Sequence, residues 1–264
     1  MPSNKENLLL KAVSDINHGI LDTGLYRLGY YIAKNKEKSA INEDVLFCHI
    51  DKKGMVLGVS DGAGGHPRGA DAAAIVGEEV LSKAQDVLEK GFNPLQLIED
   101  INAKILALKA GAKTTLALIT LYDDSFRAYS VGDSEVVFWN TQSTEVYTNV
   151  PDSTTGYRVQ AGDLEQKEAL DAPDRHIVYN MLGDKIYKTE VSSSIETKKG
   201  NTILVGTDGL FDNFSHEDLR QILSSGKFEE AFDAIVQICS SEGTQGLRKD
   251  DDIAFFLIRK IKSN

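Results

Sequence analysis

Cysteine is scarce in this chain: only Cys48 and Cys239 occur in 264 residues, both in apolar surroundings. Two such thiols argue against a disulfide scaffold or a cysteine-held metal, and read as small buried hydrophobes of a reducing cytoplasm. Long apolar runs are missing as well, and none approaches the roughly 20 residues needed to cross a bilayer. The opening Met1-Pro2-Ser3-Asn4-Lys5-Glu6-Asn7 has no basic stretch leading into an apolar core, so no export signal is expected. Basic charge is in deficit, with 29 Lys and Arg against 40 Asp and Glu and a net charge of −11. That balance argues against nucleic acid or membrane as a partner, since both are met by basic surface. An acidic protein can still take a phosphate where metal ions reverse the local sign. Internal repeats, low-complexity tracts and linkers are also lacking.

What is present is enough apolar material, 41% of residues, for one large core. Residues 5–18 read as a short helical extension within the first 20 residues, with Gly19 able to stop it. A strand follows near 26–33, and strands at 45–50 and 54–60 flank a hairpin turn at Asp51-Lys52-Lys53-Gly54. Helical periodicity covers about 69–90, and again the stretch from Pro94 to the glycine at 111, with Asn93 as cap and Pro94 in the first turn. From Thr114 the period changes to two, and strands near 115–122, 126–131, 135–139 and 145–147 follow on connections short enough to force antiparallel pairing. Residues 150–190 carry only weak signals. A strand at 202–207, a helix capped by Ser215, a helix near 228–240 and a strand at 252–259 complete the chain. This is an α+β pattern of helices layered on sheets, read as a single domain over 1–264.

The most telling residues are carboxylates at strand ends. Val56-Leu57-Gly58-Val59-Ser60 stops at Asp61-Gly62, and Thr202-Ile203-Leu204-Val205-Gly206-Thr207 stops at Asp208-Gly209. Asn42-Glu43-Asp44 opens one strand and Asp250-Asp251-Asp252 opens the last. Singly, Asp-Gly is a turn dipeptide, Gly132-Asp133-Ser134 a tight bend and the aspartate triplet a solvated charge run. If the strands lie side by side, however, like charges meet at a cost of about 4 kcal/mol per pair at 4 Å in a partly screened site. Divalent cations, which take carboxylate oxygens, offset that cost.

The ordered set Asn42-Glu43-Asp44, Asp61-Gly62-Ala63-Gly64-Gly65-His66, Gly111-Ala112-Lys113-Thr114-Thr115-Leu116, Val131-Gly132-Asp133-Ser134, Thr207-Asp208-Gly209-Leu210-Phe211-Asp212-Asn213 and Asp251-Asp252-Ile253 resembles the signature of the metal-dependent protein phosphatases. That is the protein phosphatase 2C (PPM) family, in its bacterial-type form. The resemblance implies an antiparallel β-sandwich flanked by helices on both faces, a four-layer α-β-β-α arrangement, with two Mn²⁺ or Mg²⁺ ions at one end. It implies Asp61, Asp208 and Asp251 as the catalytic metal ligands, Asp61 bridging the ions and the Gly62 carbonyl binding one of them. Glu43 and Asp44 would act largely through metal-bound water, and Asp133 would help hold a third ion. Residues 150–190 fall where the family carries a variable flap. The implied reaction is hydrolysis of phosphoserine or phosphothreonine in proteins by a water held between the metals, which needs no Ser or Cys nucleophile. The expected partner is a phosphorylated protein, and the chain is expected to be a cytoplasmic monomer.

Three positions depart from the pattern. Ser39 stands where the family's phosphate-binding arginine is expected, leaving Lys38, Arg68 or Lys113 as replacement cations; a lysine there acts as a point charge without a bidentate contact. Ala63 replaces a histidine frequent in animal members, and Ala254 a frequent threonine. The missing arginine motivates two other readings: a weakly catalytic member that binds phosphoproteins or a ligand, and a hydrolase of small phosphate esters. A dinucleotide-binding turn at 62–65 is disfavoured, because Pro67 breaks the glycine spacing.

Overall fold

The computed structural model describes residues 6–35, 41–142, 144–223, 226–240 and 249–263. Two antiparallel sheets face each other. Strands β1 (Glu6–Lys11), β2 (Asn17–Asp22), β3 (Tyr26–Ala33), β4 (Asp44–Asp51) and β5 (Gly54–Asp61) precede helices α1 (Gly69–Val87) and α2 (Pro94–Ala107). A meander of β6 (Leu116–Leu121), β7 (Ser125–Val131), β8 (Glu135–Trp139) and β9 (Glu145–Thr148) leads to the short helices α3 (Thr154–Ala161) and α4 (Gln166–Ala169). Short strands β10 (Glu190–Val191) and β11 (Ile195–Glu196), strand β12 (Thr202–Gly206), helices α5 (Asp208–Phe211), α6 (His216–Leu223) and α7 (Phe228–Ser240), and β13 (Ile253–Lys260) follow. One sheet runs β1-β4-β5-β6-β7-β10, with β11 also on β7; the other runs β2-β3-β13-β12-β8-β9.

Alternation along the strands builds the layers. In β4, Leu46, Cys48 and Ile50 enter the core between the sheets, while Val45 and Phe47 face α1 and α2. In β13, Ala254, Phe256 and Ile258 point inward and Ile253, Phe255 and Leu257 meet α6 and α7. With both faces covered, these strands read as continuous apolar runs. The expected four layers and the expected free, buried cysteines are both present.

The N-terminal reading needs correction: the described part of the predicted 5–18 helix is the edge strands β1 and β2. Leu8-Leu9-Leu10 fits a period of two, with Leu8 and Leu10 against the inter-sheet core and Leu9 against the helical layer. Gly19 does not stop a helix; it lies within β2, where a Cβ would come 2.7 Å from the Tyr30 hydroxyl.

Candidate metal centre

Strand pairing assembles the carboxylates. Asp44 opens β4 directly opposite Asp61 at the end of β5. Asp208 follows β12 as the first residue of α5, and Asp251 leads into β13, which pairs with β12. Asp133 sits in the turn between β7 and β8.

A chain of hydroxyls fixes the Asp61 backbone. Its N–H donates to Thr115 Oγ1 at 2.9 Å, and its carbonyl accepts from Thr114 Oγ1 at 2.7 Å. Ser60 and Ser134 extend the chain, each 2.7 Å from one of these threonine hydroxyls. This is what the Thr114-Thr115 pair contributes. Thr115→Val would leave the Asp61 N–H without a partner, at a cost of about 1–3 kcal/mol, and urea unfolding checks it. On the opposite sheet, Thr207 Oγ1 donates to Asp44 at 2.8 Å. Asp252, close enough to raise Asp44, accepts the backbone N–H groups of Asn35 and Glu43, both at 2.8 Å, and so ties both segments to the start of β13. The Glu43 carboxylate lies over the start of α1, where its Oε1 is 3.1 Å from the place a Gly69 Cβ would take, an end of a helix that favours negative charge.

Burial and mutual repulsion push the carboxyls upward in pKa. Burial raises Asp61 well above the usual carboxylate range, with Asp208, Asp44, Asp251 and Asp133 adding to it. Burial acts likewise on Asp44, with Asp252, Asp251 and Asp208 behind it, and on Asp133, with Asp208 and Asp212 behind it. Asp212 is pushed up to about 6 by burial and Asp208. Among the described residues, no three His, Cys, Asp or Glu side chains close on a common point as ligands of one ion. The Lys249 ammonium instead stands among three carboxylates, paired with Asp208, with Asp212 at 2.7 Å and with Asp251 at 3.0 Å. The donor chemistry fits a hard divalent cation: all-oxygen, anionic, buried and repelling itself.

The cations proposed from the sequence stand elsewhere. Arg68 pairs with Asp71 at 2.6 Å and Lys113 with Asp184 at 2.8 Å, while Lys38 and Ser39 lie outside the described residues. Two basic residues that sequence reasoning missed do meet the cluster: Lys249, and Arg175, whose Nε is 3.4 Å from Asp212. The only sequence signal for Lys249 was its place two residues before Asp251.

Beside the aspartates lies a cavity of about 110 Å³, lined by Asp133, Asp208 and Asp212 and roofed by Val159, Leu170 and Arg175 from the 150–190 region. Asp152 ties that region down. Its carboxylate accepts from the Tyr157 hydroxyl at 2.7 Å, from Asn180 Nδ2 at 2.6 Å and from the Gly132 N–H at 3.3 Å, and pairs with Lys188 at 2.9 Å. The roof is thereby joined to the Gly132-Asp133 turn.

His216, which with Glu135 also lines the cavity, lies between Glu135 at 3.0 Å and Glu145 at 2.8 Å. Burial opposes its protonation, but the two glutamates outweigh burial and push it up to about 10. A folded value above the ordinary 6.5 means that this stabilisation is complete below about pH 6.5 and is lost as pH rises towards 10. The stability gap between the native protein and His216→Gln, read from urea midpoints, should therefore close between about pH 7 and 10.

At one end of this four-layer sandwich, aspartates from four strand ends come together. The family model for protein phosphatase 2C matches residues 33–251, and the chain belongs to that family. Among curated relatives, probable protein phosphatase 2C 80 of Arabidopsis thaliana is 23% identical over 74% of this chain and 43% of its own. Protein phosphatase PhpP of Streptococcus pneumoniae is 23% identical over 72% of this chain and 81% of its own. The chain thus spans under half the length of the plant relative and most of the bacterial one. Serine/threonine phosphatase Stp1 of Staphylococcus aureus superposes with a TM-score of 0.75 at 21% identity, covering 93% of this chain and 99% of that one. The catalytic domain of the phosphatase PstP, solved with two manganese ions, gives 0.69 at 20% identity over 90% and 99%.

Proposed function

We propose that this chain is a protein serine/threonine phosphatase whose divalent metal centre is held by Asp61, Asp208 and Asp251. The observation that carries the reading is the convergence of buried, mutually repelling carboxylates from four strand ends within a chain of this family. The Gly62 carbonyl, Glu43 and Asp44 complete a two-ion Mn²⁺ or Mg²⁺ site, and Asp133 with Asp208 serves a third ion. Bound metal supplies Lewis acidity and a water of lowered pKa for attack on phosphorus.

The protein's own groups do the remaining work. Asp44 and Asp61 supply negative oxygens from facing strands, and the hydroxyls of Thr114, Thr115 and Thr207 hold them at fixed depth. Arg175, held by Asp212 and the Leu170 carbonyl, places a positive charge at the cavity wall beside the aspartates. The substrate is a phosphorylated protein, and residues 150–190 select it. We read 1–264 as one catalytic domain acting as a cytoplasmic monomer, without nucleic acid or membrane. The unpaired buried thiols support a reducing compartment, and the charge of −11 argues against nucleic acid or an anionic membrane surface.

A phosphothreonine peptide with Mn²⁺, with and without EDTA, tests the reading. Phosphate release that EDTA abolishes supports it. Peptide binding with manganese bound and no release would favour instead the weakly catalytic binding module that Ser39 suggests.

A further inference from the structure

Lys249 is delivered to the acidic cluster from a fixed point. Asn213 Oδ1 accepts the Lys249 N–H at 2.8 Å, and Asn213 Nδ2 donates to the Lys249 carbonyl at 3.2 Å and to the Gly209 carbonyl at 2.7 Å. One side chain therefore ties the Lys249 backbone to the α5 segment that carries Asp208. From that anchor the side chain, only 16% exposed, ends among Asp208, Asp212 and Asp251. Two of those three carboxylates are the ones assigned above to metal. An ammonium is a compact point charge that needs oxygen acceptors on several sides, and a hard divalent ion asks the same of the same oxygens. The two cations repel each other at such range, and each carboxylate has few lone pairs to share.

We propose that Lys249 is a built-in counter-cation that competes with divalent metal for Asp208 and Asp251. It balances the acidic centre when metal is scarce and must be displaced when metal enters, so metal affinity is lower than the carboxylates alone would give. Loading of the centre then follows manganese or magnesium concentration over a range that Lys249 sets. The inference rests on the metal-centre reading above.

The experiment is calorimetric titration of Mn²⁺ into the wild type, Lys249→Met and Lys249→Arg, with thermal unfolding of each in EDTA. Removing the charge should tighten manganese binding about tenfold or more, since the ion no longer displaces a paired cation. It should also lower the melting temperature in EDTA, where the repulsion among Asp208, Asp212 and Asp251 loses the ammonium that offsets it. Lys249→Arg keeps the charge and should stay near the wild type in both measurements. Where Lys249→Met is not recovered folded, Lys249→Gln, purified in Mn²⁺ and titrated against a chelator, gives the same comparison. Manganese affinity that is unchanged or weakened on loss of the charge would overturn the proposal and leave the metal centre standing. Absence of manganese uptake by the wild type and every variant would overturn both.

Discussion

Asp208→Asn is expected to lower phosphate release about a thousandfold or more while leaving the protein folded. The substitution keeps the shape and removes one charge. Asp208 is the neighbour that, after burial, does most to raise Asp61, Asp133 and Asp212, which places its carboxylate at the electrostatic centre of the cluster. Losing a single group that stabilises a transition state already costs on the order of 100- to 1,000-fold, and loss of the metal ligand proposed here would compound it. Stability should move little, because the lost pairing with Lys249 is offset by relief of repulsion among buried carboxylates. Phosphopeptide turnover and urea midpoints, measured together, check both halves. Activity within tenfold of the wild type would remove Asp208 from the centre.

Gly209→Ala should be the most destabilising single-methyl change in the region. A Cβ at Gly209 would lie 1.8 Å from the Asp252 carbonyl oxygen and 2.9 Å from its carbon, both backbone atoms. Ordinary overpacking costs about 1–3 kcal/mol because side chains can give way. Here the start of α5 must part from the segment leading into β13, which separates Asp208 from Asp251. A loss of about 3 kcal/mol or more is expected, with weakened manganese binding. Gly91→Ala is the control. Its Cβ meets nothing within 4 Å, so only the left-handed φ of 91° counts against it, at about 1–2 kcal/mol. Urea midpoints rank the two, and equal losses would mean that close approach is not what Gly209 provides.

Local chemistry explains which parts of this fold were legible from the sequence. Asn93 and Pro94 mark the start of α2 because they act there: Asn93 accepts the Leu95 N–H and Pro94 fills the first turn. The β4–β5 hairpin and the meander were readable because their turns and alternation are local. Residues 6–22 were not, since three consecutive leucines satisfy a helical and a strand period alike, and only the two sheets decide between them. The Asp61, Asp208 and Asp251 positions could be found because strand ends are visible in sequence. Their company could not. Lys249 looks like part of a charge run until tertiary structure returns its ammonium to Asp208, 41 residues earlier. His216 lacks any local pattern because its partners, Glu135 and Glu145, lie 81 and 71 residues away. Asp252 sits beside Asp251, a proposed ligand, yet it accepts two backbone N–H groups, from Asn35 and Glu43.

The central claim is that these strand-end aspartates hold metal. Anomalous diffraction at the manganese edge, from crystals soaked in Mn²⁺, tests it most directly. The account predicts two peaks within ligand distance of Asp61, Asp208 and Asp251, with Lys249 withdrawn from Asp208 and Asp251. Manganese-free aspartates at saturating Mn²⁺, or peaks confined to other surface carboxylates, would contradict it.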